Sequence, residues 1–174
     1  MREDSRELQE EFLDDDEDTM QGRYLTFTIE NRICGIEVRD VIEIVGLPPI
    51  TAVPDMPDFV RGIINLRGKV IPVMEMRRRF MVEDKEHDER TCVVIVSLED
   101  RLTGLIVDKV REVIRINDEN LEEAPRVGSG ESSRFIKQVG KIGDAVVLIL
   151  DLDRLLNEKE SARFRETAQL AATV

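Results

Sequence analysis

Apolar and polar residues alternate in short runs along most of this chain, which is the pattern of half-buried strands. Residues 24–29 (YLTFTI) set aromatic and aliphatic positions against Thr and predict a first strand. Glu30-Asn31-Arg32 reads as a turn, and residues 33–38 return as a second strand with Gly35 inside it, where a glycine marks a bulge or a close backbone approach. After a break at Arg39-Asp40, residues 41–45 form a third strand that Pro48-Pro49 ends; Pro54 and Pro57 punctuate an irregular connection. Asp58 is placed to cap a short helix over 59–64. Leu66-Arg67-Gly68-Lys69 is a tight turn, and residues 70–76 follow as a strand in which Pro72 requires an edge position or a bulge. Residues 77–80 begin a basic helical turn read as a solvated face, and 83–90 are a charged connector.

The pattern then restarts. Strands are predicted over 91–98, 102–107 and 110–116, with Glu99-Asp100-Arg101 as the tight turn and a short helix from Asn117 or Asp118 through Leu121. A flexible Gly/Ser loop spans 128–133. Residues 136–142 and 145–150 form a hairpin around Gly143-Asp144, and Asp151 or Asp153 caps a terminal helix carrying Leu152, Leu155 and Leu156. Residues 24–44 (YLTFTIENRICGIEVRDVIEI) align without a gap on 93–113 (VVIVSLEDRLTGLIVDKVREV). Residues 59–66 then fall on 135–142, and 70–80 on 146–156. A period of about 70 residues is too long for a solenoid and points to two β-rich modules of one strand order. Each is too small for an ample core of its own, so the two should share apolar contact and fold as one unit. The expected organisation is an acidic disordered tail over 1–22, a body over 23–157 with modules near 23–86 and 87–157 between which strands can cross, and a polar, helix-prone tail over 158–174.

Charge narrows the function. The formal net charge is −12, and residues 1–20 supply ten acids against two bases, including the run DDDED. An acidic chain without a basic stripe is a poor ligand for nucleic acid. No apolar run approaches the ~18 residues of a membrane span, and the N-terminus lacks the layout of a secretory signal, so a cytoplasmic location is expected. Cys34 and Cys92 sit in apolar strand patterns and read as buried reduced thiols; neither has zinc-type spacing. The single histidine, His87, falls in a charged stretch and reads as a solvated loop residue. No Ser/His/Asp set, phosphate loop or paired carboxylate emerges, so no catalytic residue, metal or cofactor is expected, and binding is favoured over catalysis. Arg67 stands out. Its counterpart in the repeat is Gly143, so the repeat does not require it; it is either a solvated turn residue or a fixed one paired with a carboxylate or a partner. The strand valines Val38, Val41, Val107, Val110 and Val113 are either core or the lining of a seam able to accept an apolar helix.

The segment RGIINLRGKVIPVMEMR (61–77), with TFTIENRICGIEVRDVIEI before it, GLIVDKVREVI after it and AVVLILDLDRLL at 145–156, resembles the CheW family of bacterial chemotaxis adaptors over nearly all of the chain but its tails. The resemblance implies an all-β fold with short helices: two five-stranded SH3-like barrels side by side in one CheW-like domain. It implies a non-catalytic scaffold coupling methyl-accepting chemoreceptors to the histidine kinase CheA, or a like scaffold in a chemosensory pathway that does not drive motility. Receptor tips would dock in the groove between the barrels, the first barrel would pair with the regulatory domain of CheA, and the chain would be a monomer in isolation, recruited to membrane arrays without inserting. Carried onto this sequence, Val41, Glu43, Gly62, Arg67 and Val113 match positions of partner binding, and Glu43 with Arg67 matches an ion pair; Val38, Val107 and Val110 complete the expected groove. Pro48, Ile50, Met56 and Phe59 are the weaker candidates for a kinase-facing surface. The chain departs from the family's usual Asp at Glu75.

Overall fold

The computed structural model describes residues 20–124 and 134–173. The acidic run and the Gly/Ser loop at 128–133 lie outside the described residues. Among the described residues, eleven strands form two sheets. The first half contributes β1 (Arg23–Ile29), β2 (Arg32–Glu37), β3 (Val41–Gly46), β4 (Val60–Leu66) and β5 (Lys69–Glu75). The second contributes β6 (Cys92–Leu98), β7 (Arg101–Val107), β8 (Lys109–Arg115), β9 (Leu121–Glu123), β10 (Ile136–Ile142) and β11 (Ala145–Leu150). The described residues also include two α-helices, α1 (Met76–Arg79) and α2 (Glu158–Thr173).

The strand orders are β8-β1-β2-β11-β10-β9 in the six-stranded sheet and β3-β6-β7-β5-β4 in the five-stranded one. The sixth strand is the three-residue β9, one more than the expected five. Each sheet takes strands from both halves. β1 and β2 sit with β8–β11, and β6 and β7 sit with β3–β5, so the repeat boundary near residue 86 is not a boundary between sheets. The joins are equivalent: antiparallel hairpins on both sides, and two parallel pairs, β11 with β2 and β5 with β7, where an exchanged strand meets its host. Pro72 lies in β5 one residue before the parallel pairing with β7 begins at Val73, so an interior strand tolerates it.

Both sheets curl into barrels. Ile64, Ile71, Val73, Val93, Ile95 and Ile106, with Val45 of β3, fill one interior, which therefore draws on both edge strands of its sheet. Tyr24, Ile116, Val147 and Ile149, with Ile114 and Leu121, fill the other. The largest cluster belongs to neither barrel alone. It lies between them and includes Leu25, Phe27 and Ile36 from one sheet with Met74, Val94, Val96 and Leu105 from the other.

Four sequence expectations change. Residues 60–64, expected within a helix, belong to strand β4: Val60, Gly62 and Ile64 are buried in alternation, and the β-branched residues suit a pleat better than a helical turn. Their repeat counterparts in β10 already read as strand. The α1 arginines are not a solvated face, because Arg77 and Arg79 are buried and paired. Arg77 forms a fork with Asp108 (two contacts of 2.8 Å) and donates to the Glu83 carbonyl (2.7 Å). Arg79 forms a fork with Glu160 (2.8 and 2.9 Å), with its guanidinium 4.5 Å from the Phe59 ring centre. His87 is not solitary: its Nε2 lies 2.8 Å from Oε2 of the buried Glu75, which Arg61 also approaches. Cys34 is fully buried and burial pushes its thiol up to about 12, whereas Cys92 is only half-buried.

The C-terminal segment, expected as a polar, helix-prone tail, is the helix α2. Asp151 caps only a single 3₁₀ turn, Leu152–Arg154. The true start is Asn157, whose side chain accepts the Glu160 N–H (2.8 Å) while Glu160 accepts the Asn157 N–H (2.9 Å), a reciprocal capping box. From there α2 lays Phe164, with no exposed surface, into the shared core. Removing a ring from such a site costs about 3–5 kcal/mol. Phe164→Ala is therefore expected to lower chemical-denaturation stability by that order, although the residue lies beyond the last strand.

Asp108 makes a second prediction. It sits at the β7–β8 crossing and accepts the Glu30 N–H (2.8 Å) besides Arg77. Burial pushes its carboxyl up, but the Arg77 guanidinium and the Glu30 N–H outweigh burial and leave it below the usual aspartate range. A carboxyl lowered on folding adds stability that is complete above its unfolded value, about 4, and is lost as pH falls through the folded value. Asp108→Asn should thus be less stable than the parent at neutral pH, and the difference should close as pH is lowered below about 4, measured by urea unfolding across pH.

Candidate partner-binding groove

Two crossings carry the chain from one barrel to the other. One is the 3₁₀ turn Val38–Asp40 between β2 and β3; the other is Asp108 between β7 and β8. Each crossing delivers an edge strand, β3 to the five-stranded sheet and β8 to the six-stranded one. Each edge strand carries a register shift, between Val41 and Glu43 on β3 and between Leu25 and Phe27 on the partner of β8. Just past the crossings, Val41 and Val110 are half-buried against the shared core. Beyond the shifts, Ile44 pairs with Val94 and Val113 pairs with Leu25, both shared-core residues. Ile44 and Val113 therefore stand on the faces turned toward the shared core, yet they remain 41% and 52% exposed. An unfinished apolar border of this kind, present on both barrels, is what a helix-sized apolar partner would cover.

The other expected residues are distributed by depth. Val38 is half-buried at the first crossing. Val107 has no exposed surface and supports the groove from below. Gly62 lies on β4, the opposite edge of its sheet; a Cβ there would stand 2.1 Å from the Thr51 carbonyl, so its role is close backbone approach to the 50–52 segment. Pro48 is half-exposed, Ile50 points into the barrel interior, Met56 packs on the shared core, and Phe59 is buried beneath Arg79.

Arg67 and Glu43 are brought together as an ion pair. Glu43 is on edge strand β3 and Arg67 on the β4–β5 turn at the other edge, so the pair bridges the line where the barrel closes. The hydrogen bond from Arg67 holds the Glu43 carboxyl below its ordinary value and raises the Arg67 guanidinium in turn. Arg67 adopts φ 50° and Gly68 φ 86°, a two-residue hairpin turn in which the Gly68 N–H donates to Asn65 Oδ1 (2.9 Å). An arginine in the left-handed region is strained where the repeat uses Gly143 at φ 56°. The side chain, 70% exposed, is held there at a backbone cost.

Sequence reasoning missed Ile44, and with it the exposed Ile42 (53%). The repeat held the signal, since Ile44 aligns on Val113. Among the described residues, no group of three His, Cys, Asp or Glu side chains is placed to hold a metal ion.

Two small exchanged barrels share a common core and leave an apolar seam at its rim, a surface suited to binding. The CheW-like domain model matches residues 23–160. The chain is 30% identical to the chemotaxis protein CheW of Klebsiella aerogenes over 145 residues, 83% of this chain and 87% of that one. It is 31% identical to the chemotaxis protein CheW of Treponema pallidum, covering 80% and 85%. The crystal structure of the scaffolding protein TtCheW from Thermoanaerobacter tengcongensis superposes with a TM-score of 0.74 at 32% identity, covering 80% of this chain and 94% of that one. The chain belongs to the CheW-like family and has the role of a chemotaxis adaptor.

If Arg67 is held for recognition rather than for folding, Arg67→Gly should keep or raise the urea midpoint, since it relieves the left-handed strain and loses only an exposed pair. A clear fall in the midpoint would make Arg67 a structural residue.

Proposed function

We propose that this chain couples methyl-accepting chemoreceptors to the histidine kinase CheA. The receptor's cytoplasmic tip, a helical apolar surface, lies in the groove between the barrels, against Val41, Ile44, Val110 and Val113. The kinase's regulatory domain meets the first-half surface near the 47–58 connection, where Pro48 and Met56 keep accessible area. Arg67 and Glu43 fix the wall between the two contacts. The observation that supports this most is the matched pair of exposed residues, Ile44 and Val113, at equivalent edges of two barrels in a chain of the CheW-like family. No phosphoryl chemistry is assigned to the chain; it would act by holding receptor and kinase in one geometry, at the membrane only through the receptor.

The test is binding of the purified full chain to receptor-tip peptides and to CheA. Burying an exposed Val or Ile is worth about 1.5–3 kcal/mol, roughly tenfold or more in affinity. Ile44→Asp and Val113→Asp should each weaken receptor binding by at least that factor and leave CheA binding and the melting temperature unchanged. Arg67→Ala should keep the fold and weaken kinase coupling. A folded protein that binds neither partner, or an Ile44→Asp/Val113→Asp variant that binds receptor normally, would overturn the proposal.

A further inference from the structure

The first 20 residues form an acidic head, with ten acids against two bases. Its run DDDED at 14–18 ends five residues before Arg23. The chain enters the fold at β1, where the Ile116 N–H donates to the Gly22 carbonyl (2.9 Å) at the end of β8. β8 is an outermost strand, so the outer side of its backbone is open to a further strand or an extended segment.

This corner is cationic. β8 carries Lys109, Arg111 and Arg115, all exposed, and its ladder sets Arg115 directly opposite Arg23. Like charges opposite one another destabilise a sheet. Among the described residues none of these four cations makes an ion pair or a side-chain hydrogen bond. The acids of the neighbourhood are Glu112 on β8 and Asp118 and Glu119 just after it, and they leave the four unpaired. The fold does not ask for this charge. At the equivalent positions of the repeat, on β6 and around β3, stand Cys92, Asp40, Ile42 and Gly46. Arg61 on edge strand β4 and Arg67 in the turn after it are, by contrast, paired, with Glu75 and Glu43.

We propose that the acidic head docks along the β8 edge of its own chain, with the carboxylates of residues 14–18 against Arg23, Arg111 and Arg115. The lengths agree: a seven-residue strand runs about 23 Å, an extended five-residue run spans up to about 17 Å, and residues 19–22 are enough chain to turn back onto Arg115. In this position the head covers Val113. The consequence for signalling rests on the groove reading above: the head then competes with the receptor for one wall of the groove, and ionic strength or a basic partner releases it.

The test uses the full chain alone, so its failure is distinguishable from failure of the groove reading. Amide NMR spectra are compared for the parent and for a full-length variant with Asp14, Asp15, Asp16 and Asp18→Asn and Glu17→Gln. At low salt, the amides of Arg111–Arg115 are expected to differ between the two. The difference should vanish near 1 M NaCl, where the screening length falls to about 3 Å. Arg111→Glu with Arg115→Glu in the parent should reproduce the variant's head signals. Differences confined to residues next to the substitutions, or insensitive to salt, overturn the proposal. Differences on β8 that disappear on dilution assign the head to a second copy and overturn docking within one chain.

Discussion

The apolar layer between the two barrels is the contact on which the rest of the molecule depends. It exists because β1 and β2 leave the first half to join β8–β11, while β6 and β7 leave the second half to join β3–β5. Neither half can complete a sheet alone, since each parallel join, β2 with β11 and β7 with β5, pairs strands from different halves. Exchange places Leu25, Phe27 and Ile36 against Met74, Val94 and Leu105, and a core that two modules of this size could not build separately becomes one. The groove is the rim of the same layer, where it reaches the surface at the crossings.

Ionic contacts fasten the ends of the exchanged units. Arg77 ties α1, at the end of the five-stranded sheet, to Asp108 at a crossing, and Asp108 in turn holds the β1–β2 turn through the Glu30 N–H. Arg79 ties the same turn of helix to Glu160 at the start of α2, with Arg134 from the other sheet on the same carboxylate. Buried forks of this kind give little net stability over apolar replacements, but breaking one partner leaves a stranded charge. Their effect is to specify how the barrels and α2 meet. The Arg67–Glu43 pair differs because it is exposed; it closes a barrel edge that faces outward, which suits recognition better than stability.

Legibility followed the range of the interactions. Strand patterns at residues 24–29, 92–98 and 136–150 were plain because period-two burial is written locally, as were the turns at Arg67-Gly68 and Glu99-Asp100. The strand at 60–66 is set by its pairing with β5, whereas Asp58 offers only a local capping signal for a helix at 59–64. The pairing of the α1 arginines and His87 is not written locally, because their partners, Asp108, Glu160 and Glu75, lie 31, 81 and 12 positions away. The capping box from Asn157 to Glu160 was present in the sequence and would have announced α2. Ile44 was legible through its repeat partner, Val113.

By itself the sequence determined most of the strands, their duplication and the family, because alternation, turn chemistry and the NLRG segment are local properties that survive in one dimension. Tertiary structure alone decided which barrel each strand joins, which valines are floor and which are wall, and that α2 is part of the core. Two antiparallel hairpins satisfy their own backbone hydrogen bonds equally well at home or exchanged. The choice is made by the apolar faces left over, and those meet only when the whole chain is folded.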